Sequence, residues 1–255
     1  MSVSLDQLPK DAAAAWVRLR DELLAILGDN LVALWAYGAR TFPDPPRSLG
    51  DLDTYAVLQR RPHEGTIQRI RSAHEAIERE LAVNFDTAFI LSADAARPDI
   101  PPPAWGQGHQ ENWAFNRAHW LAECYLPLHG RLPEDVVLAP TWSELLEALQ
   151  LEIDHLERHV AAGDDDPYEA SYAMLNGSRI LYGIETRNVV ISKRAAGQWA
   201  LNNLPVRWHE AIHAAGRAYD GEASADDAEV LSVAMAPFVA MVKDRWLEYT
   251  RTSPN

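Results

Sequence analysis

The chain has 255 residues, of which 47% are hydrophobic and 24% are charged, and its formal net charge at pH 7 is −14. This composition excludes disorder as the main state, because the chain has enough apolar side chains to bury a core. The negative charge disfavours binding to phosphate backbones, so we expect no nucleic-acid partner and favour small cationic ligands.

The cysteine content and the hydropathy of the sequence indicate in which cellular compartment the protein is expected. Cys124 is the single cysteine, which excludes an intramolecular disulfide and a cysteine-based zinc cluster. The first twenty residues lack the apolar core of a signal peptide, and no stretch approaches twenty uncharged apolar residues. We therefore expect a cytoplasmic protein without membrane contact, as a monomer or small homo-oligomer.

The N-terminal part mixes helical and strand patterns. Apolar residues at helical spacing precede short apolar runs that are typical of strands, with glycine and proline at the breaks. The predicted order is helix, strand, strand, helix, strand, over residues 11–27, 31–37, 51–58, 63–81 and 84–91.

The C-terminal part is predicted to be helical. After the triple proline at 101–103, the only strand we expect is a brief one at 136–138. Helix-capping signals at Thr141, Ser192 and Ser224 and the loop at 163–167 divide the remainder into helices, the last with Pro237 inside it and expected to kink there. The sequence thus predicts an α/β or α+β domain over 1–139, with a small mixed sheet and flanking helices, and an all-α bundle over 140–255.

Three carboxylates lie on the predicted strands. Asp51 and Asp53 are two residues apart at the start of a strand, so their side chains point to one face. Asp86 lies inside the next strand, where an unpaired charge is costly. Three carboxylates on neighbouring strands indicate a magnesium site. The alternative is that Asp51 only caps a turn and Asp53 is a solvated edge residue.

These residues resemble the motif of the polymerase-beta-type nucleotidyltransferase superfamily. The order is a strand, the turn Tyr37-Gly38-Ala39, and Asp51-Leu52-Asp53 on the next strand. The resemblance implies that Asp51 and Asp53 hold Mg²⁺ and that Gly38 and Ala39 hold triphosphate oxygens. Two departures are visible, since Ala39 and Gly50 stand where relatives have serine. Each lost hydroxyl removes a hydrogen bond to a charged group, about 1.5–3 kcal/mol.

The C-terminal half is similar to the aminoglycoside 3''-adenylyltransferase family, which includes streptomycin and spectinomycin resistance enzymes, and this resemblance covers nearly the whole chain. The matching segments are Ser178-Arg179-Ile180, Ser192-Lys193 and Ala218-Tyr219. The resemblance implies that Arg179 and Lys193 approach the triphosphate and Tyr219 the nucleotide. For each of the three, an ordinary helix-surface or core role is the alternative.

The family resemblance also assigns roles around the acceptor. Asp86 aligns with a glutamate that acts as general base, so it is either a base or a third metal ligand. An acidic cluster stands where the family binds the cationic groups of the drug, and from it we select Glu169 and Asp166 as substrate-binding residues. The alternative for the cluster is a solvated loop with a helix-capping role. The remaining members are Asp164 and Asp165.

A competing motif is His209-Glu210-Ala211-Ile212-His213, which matches the zinc-peptidase pattern of two histidines one helical turn apart. The third histidine of the extended motif is replaced by Tyr219. By default, we interpret His209 and His213 as partly exposed helix residues. His155 and His159 have the same spacing and the same default interpretation.

The predicted function is a Mg²⁺-dependent adenylyltransferase of the antibiotic-resistance type, moving AMP from ATP to a hydroxyl of a cationic aminoglycoside-like molecule. Two alternatives remain open at this point. One is a catalytically impaired nucleotide-binding relative of the same fold, which the loss of a serine at Ala39 would allow. The other is a zinc peptidase.

Overall fold

The computed structural model describes residues 10–45, 51–105, 112–163 and 166–252. The chain divides into two compact units. The N-terminal unit comprises Met1–Pro43 and Leu49–Pro140, and the C-terminal unit comprises Asp44–Ser48 and Thr141–Asn255. The first contains a small mixed sheet with flanking helices and the second is helical, so the predicted fold class is confirmed. None of the described helices is long and apolar enough to cross a lipid bilayer.

The N-terminal unit is built on a four-stranded sheet of order β3-β2-β1-β4. Strand β1 is antiparallel to both β2 and β4, whereas β2 and β3 are parallel. A parallel pair needs a crossover connection, and helix α2 provides it. The elements are α1 Lys10–Leu27, β1 Leu31–Ala36, β2 Leu52–Leu58, α2 Glu64–Leu81, β3 Phe85–Leu91, α3 Ser92–Ala95, α4 Trp113–Leu121 and β4 Leu126–Gly130.

Each face of this sheet is covered by its own apolar cluster. Alternation along β2 directs Leu52, Ala56 and Leu58 into a cluster that includes buried residues of α1 and α2. Tyr55 and Val57 belong to the cluster on the opposite face. Asp53 has the same parity as Tyr55, so its carboxylate lies on the second face. Aromatic residues dominate that face, among them Trp35, Trp113 and Trp120.

The prediction of a strand at 136–138 is wrong. The fourth strand is β4, Leu126–Gly130, while Val136 and Val137 are buried in loop structure beside the aromatic face. Strand β4 was missed because it is short and contains Pro127. It lies at the sheet edge, where a proline without an N–H group is tolerated.

The described part of the C-terminal unit contains five α-helices, and α6 contacts each of the other four. The helix starts follow the predicted capping signals: Thr141 and Glu144 form a capping box, and Ser192 Oγ accepts a hydrogen bond from Ala195 N. The last helix continues through Pro237. The helices are α5 Trp142–Ala162, α6 Pro167–Thr186, α7 Lys193–Asn203, α8 His209–Tyr219 and α9 Ala225–Thr252.

Candidate active site

The turn after β1 lies directly against the Asp53 carboxylate. Tyr37 N donates to Asp53 O at 3.0 Å, and Gly38 has φ 80° and ψ −160°. A Cβ atom added to Gly38 would lie 1.8 Å from Asp53 Oδ2. Both the backbone angles and the contact require glycine. Ala39 begins the short 3₁₀ turn Ala39–Thr41 that follows.

Asp53 and Asp86 are neighbours across the parallel strands. They are partners in the register of β2 and β3, and partners in a parallel pair project to the same face. Asp53 is half-buried and Asp86 is exposed. Asp51 is exposed and precedes the strand, which begins at Leu52. The structure therefore places Asp53 beside Asp86, with Asp51 just outside the strand end.

This donor set fits a magnesium ion. Mg²⁺ prefers oxygen ligands and is commonly held by one or two carboxylates together with water and substrate phosphates. Asp53 and Asp86 supply two carboxylates on one face. Within the described ranges, no group of three or more His, Cys, Asp or Glu side chains is arranged to hold a metal ion. The arrangement thus suits an ion that completes its ligands with phosphate and water, and the ligand role of Asp51 stays a prediction.

Beneath the carboxylates lies an aromatic layer. The Tyr37 ring is 5.2 Å from the Tyr55 ring and 5.9 Å from the Trp120 ring, centroid to centroid. Burial raises the pKa of Tyr37 well above its usual value, and the charges of Asp53, then Tyr55, then Asp86 raise it further. The Tyr37 hydroxyl therefore stays protonated, and the charges of Asp53 and Asp86 both act on it.

In the C-terminal unit, the predicted nucleotide-binding residues converge on Tyr172. The Lys193 ammonium lies 4.5 Å from the centre of the Tyr172 ring and 5.4 Å from that of Tyr219. Lys193 is the first residue of α7 and Tyr219 the last of α8, so two helix ends meet here. Cation–π attraction to two rings restrains the lysine side chain.

Arg179 and Glu152 complete this group, which we call the lysine cluster: Glu152, Tyr172, Arg179, Lys193 and Tyr219. Burial lowers the pKa of Arg179, and the charge of Glu152 is the largest opposing influence. The Tyr172 hydroxyl donates to Glu152 Oε1 at 3.0 Å. Burial, followed by Glu152, raises the pKa of Tyr172, and burial likewise raises that of Tyr219. Both phenols are therefore neutral near pH 7.

The predicted acceptor residues differ in their surroundings. Glu169 Oε2 lies 3.4 Å from His159 Nδ1, and its charge acts on the neighbouring Tyr172. Asp166 caps α6, its Oδ1 accepting from Tyr168 N at 2.9 Å, which is the capping role that the sequence left open for it. Asp164 and Asp165 lie outside the described residues, as does Gly50.

Sequence reasoning missed two members of the lysine cluster, Tyr172 and Glu152. A signal for Tyr172 was present, because Glu169, Tyr172 and Arg179 are spaced by three and seven residues and so share one face of α6. Glu152 carries no such signal, since its place beside Tyr172 depends on how α5 lies against α6.

Asp44 was also missed. Its Oδ2 accepts from Ser192 Oγ at 2.7 Å, and its carbonyl oxygen accepts from Arg194 Nε at 3.4 Å. Arg194 also forms a two-pronged ion pair with Asp220, at 2.7 and 3.0 Å. Asp44 therefore binds the start of α7, next to Lys193. A separation of 148 residues along the chain left this contact without a sequence signal.

The zinc-peptidase motif lies on the surface of α8. His209 Nε2 is 3.1 Å from Leu204 O, while Glu210 and His213 are exposed. The buried face of the helix is made by small and apolar residues such as Ala211 and Ile212. A ring nitrogen that donates to a carbonyl is not free to bind metal, so the geometry supports the default interpretation of partly exposed helix residues.

Comparisons with known proteins agree with the fold and with the resemblance of the C-terminal half. No curated protein sequence gives a significant match to the chain. The family model described as aminoglycoside adenylyltransferase, C-terminal domain, matches residues 140–245. The fold is similar to that of the spectinomycin adenyltransferase AAD(9) from Enterococcus faecialis, solved with ATP and spectinomycin. The TM-score is 0.69 at 17% identity, over 90% of this chain and 98% of the other. The C-terminal unit therefore matches the aminoglycoside adenylyltransferase C-terminal domain, and the chain shares its fold with a spectinomycin adenyltransferase.

Proposed function

We propose that the chain transfers AMP from ATP to a hydroxyl of a cationic aminoglycoside-like molecule of the streptomycin and spectinomycin class, releasing pyrophosphate. The observation that carries the proposal is the Asp53 carboxylate held against the Gly38 turn, with Asp86 beside it in register. The match of residues 140–245 to the aminoglycoside adenylyltransferase C-terminal domain, together with the shared fold, supports a nucleotidyltransferase as the class of enzyme. Ala39 and Gly50, which stand where relatives have serine, do not remove either carboxylate of this pair.

Asp53 and Asp86, with Asp51 as a third ligand, would hold the magnesium ion. When bound, Mg²⁺ neutralises charge on the triphosphate and on the departing pyrophosphate. The turn at Gly38 and Ala39 presents backbone beside the same carboxylate, and backbone N–H groups can bind phosphate oxygens in place of the absent serine hydroxyl.

In the transfer step, the acceptor hydroxyl oxygen forms a bond to the α-phosphorus. The bond from that phosphorus to the bridging oxygen breaks, and pyrophosphate leaves with the electron pair. The hydroxyl proton passes through one water to Asp86, whose carboxylate has one oxygen for the ion and a second oxygen that can accept the proton. Asp86 suits this role because it is exposed, whereas Asp53 is held against Gly38.

For the nucleotide, the lysine cluster supplies two cations, Arg179 and Lys193. Lys193 stands at the N-terminus of α7, where the helix dipole adds to its positive charge. Burial of Arg179 makes its interaction with an anion stronger than at an exposed position. Tyr219 offers a neutral aromatic ring for contact with the nucleotide.

For the acceptor, Glu169 and Asp166 are the carboxylates we assign to the cationic groups of the substrate. Charge-assisted hydrogen bonds from ammonium or guanidinium groups to carboxylates are about twice as strong as neutral ones. The net charge of −14 also favours the approach of a cationic molecule. The structural neighbour was solved with spectinomycin, which makes spectinomycin the first acceptor to test.

The experiment is pyrophosphate release from ATP and Mg²⁺ with a panel of aminoglycosides, led by spectinomycin and streptomycin, beside a reaction without acceptor. Release that depends on the acceptor and is lost in Asp53→Asn supports the proposal. Thermal stabilisation by Mg-ATP without release for any acceptor would instead favour the catalytically impaired relative. Mass spectrometry of the acceptor, with a gain of one AMP, identifies the product.

A further inference from the structure

A pair of histidines on α5, His155 and His159, has no role in the proposed transfer, although both rings lie beside Tyr172 and His159 lies beside Glu169. His155 and His159 are four residues apart, and their Nε2 atoms lie 3.0 Å from each other. The ring centroids are 4.5 Å apart. Both side chains are only partly buried, so solutes can reach them. Two imidazole nitrogens at this distance share one proton, with one ring as donor and the other as acceptor.

The separation of the two nitrogens suits a metal chelate. With metal–nitrogen bonds of 2.0–2.1 Å, two nitrogens on one ion lie about 2.9 Å apart at a right angle and about 3.3 Å apart at a tetrahedral angle. The observed 3.0 Å falls within this range. An ion could therefore replace the shared proton with only a few tenths of an ångström of movement.

The surroundings of the pair match those of histidine ligands. A metal-binding histidine commonly donates its second ring N–H to a carboxylate, which fixes the tautomer and the ring orientation. His159 Nδ1 lies 3.4 Å from Glu169 Oε2, on the opposite side of the ring from Nε2. The Tyr172 ring contacts both imidazoles, at 5.7 and 6.3 Å between centroids, which limits their rotation.

We propose that His155 and His159 bind a divalent transition-metal ion of the zinc, nickel or copper type through their Nε2 atoms, with Glu169 supporting His159. Imidazole nitrogens select these ions over Mg²⁺, which prefers oxygen. Two imidazoles would leave coordination positions for water, and among the described residues no group of three or more His, Cys, Asp or Glu side chains is arranged to hold a metal ion. The proposal does not depend on the adenylyltransferase activity.

The test is calorimetric titration of ZnCl₂ into the full-length protein, prepared without a histidine tag and freed of metal with a chelator. We expect one equivalent of Zn²⁺ to bind. The double variant His155→Gln/His159→Gln should lose this binding, and Glu169→Gln should weaken it by about 10- to 100-fold, the usual effect of removing a supporting carboxylate. Circular dichroism establishes that each variant folds.

The matched control is His209→Gln/His213→Gln, a pair with the same spacing on α8 whose His209 Nε2 is engaged by Leu204 O. This variant should bind Zn²⁺ like the parent protein. Binding that survives in the His155/His159 variant, or that disappears in the control, would overturn the proposal. If the double variant fails to fold, the single variants His155→Gln and His159→Gln decide the matter, since each should weaken binding and unchanged affinity in both would refute it.

Discussion

Gly38 lies so close to the Asp53 carboxylate that no side chain fits at position 38. A Cβ atom there would lie 1.8 Å from Oδ2 and 2.6 Å from Cγ of Asp53. This contact fixes the position of the Asp53 carboxylate, because the backbone of Gly38 packs against one side of it. It also explains how a chain that has alanine at position 39 can keep a defined carboxylate beside the turn.

Gly38→Ala is therefore expected to displace the Asp53 carboxylate and to strain the backbone. A non-glycine residue at positive φ costs about 1–3 kcal/mol. We expect a lower melting temperature and at least tenfold weaker Mg²⁺-dependent ATP binding, measured by calorimetric titration with and without Mg²⁺.

Gly28→Ala separates the backbone strain from the displacement of the Asp53 carboxylate. Gly28 also has positive φ, +52°, but an added Cβ meets nothing within 4 Å. This variant should show the backbone strain and keep ATP binding. If both variants bound Mg-ATP with the affinity of the parent, the contact between Gly38 and Asp53 would have no role in the site.

Replacement of the strand carboxylates tests the magnesium site. Asp53→Asn and Asp86→Asn should each weaken Mg²⁺-dependent ATP binding tenfold or more, because loss of a contact to a charged group costs about 1.5–3 kcal/mol. Asp51→Asn should have a smaller effect, since Asp51 lies outside β2. Folding should be retained in all three, as shown by melting temperature.

Asp99→Asn is the control for these carboxylate variants, because the Asp99 side chain is 78% exposed. It should bind Mg-ATP normally. Unchanged Mg²⁺-dependent binding in Asp53→Asn and Asp86→Asn would refute the site, and an equal defect in Asp99→Asn would show that the loss of any negative charge weakens binding.

Tyr172 is expected to act through its ring more than through its hydroxyl. Tyr172→Leu removes the ring beneath the Lys193 ammonium, so the KM for ATP should rise, with a smaller change in kcat. Tyr172→Phe keeps the ring and removes the hydrogen bond to Glu152, at a cost of about 1 kcal/mol of stability. Steady-state kinetics at varied ATP and thermal melting separate the two. Equal KM values for both variants would contradict a role for the ring.

The sequence predicted much of this structure because its signals were local. The capping box at Thr141 and the alternating apolar residues around Asp53 depend only on neighbouring residues. The contacts that escaped prediction join distant segments, such as Asp44 with Ser192 and Glu152 with Tyr172. Strand β4 escaped for a different reason: at the sheet edge, pairing with β1 outweighs the poor strand propensity of a segment that contains Pro127.

In each of the two units, the sequence identified the types of the candidate residues better than their surroundings. Asp53, Lys193 and Tyr219 were selected individually, but nothing in the spacing revealed that the lysine would lie over two tyrosine rings. That arrangement depends on the meeting of the end of α8 with the start of α7. Helix packing of this kind is set by side-chain shape over the whole unit, which no short motif encodes.

Stability of the C-terminal unit should depend on pH through Asp227, near the start of α9. Its carboxylate pairs with Arg217, and its Oδ2 accepts from Ser224 N at 2.9 Å and Ser224 Oγ at 2.8 Å. The Arg217 guanidinium, followed by the two Ser224 donors, holds the pKa of Asp227 well below its usual range.

Because the pKa of Asp227 is lower in the folded than in the unfolded state, its charge stabilises the fold above the unfolded value of about 3.9. This stabilisation is lost as the pH falls from there towards the folded pKa. Asp227→Asn should therefore melt at a lower temperature than the parent at pH 7, and the difference should narrow at pH 3. Asp226→Asn, at the exposed neighbouring position, should change the melting temperature little at either pH. A difference between parent and Asp227→Asn that stays constant from pH 7 to pH 3 would show that the ion pair with Arg217 does not contribute to stability.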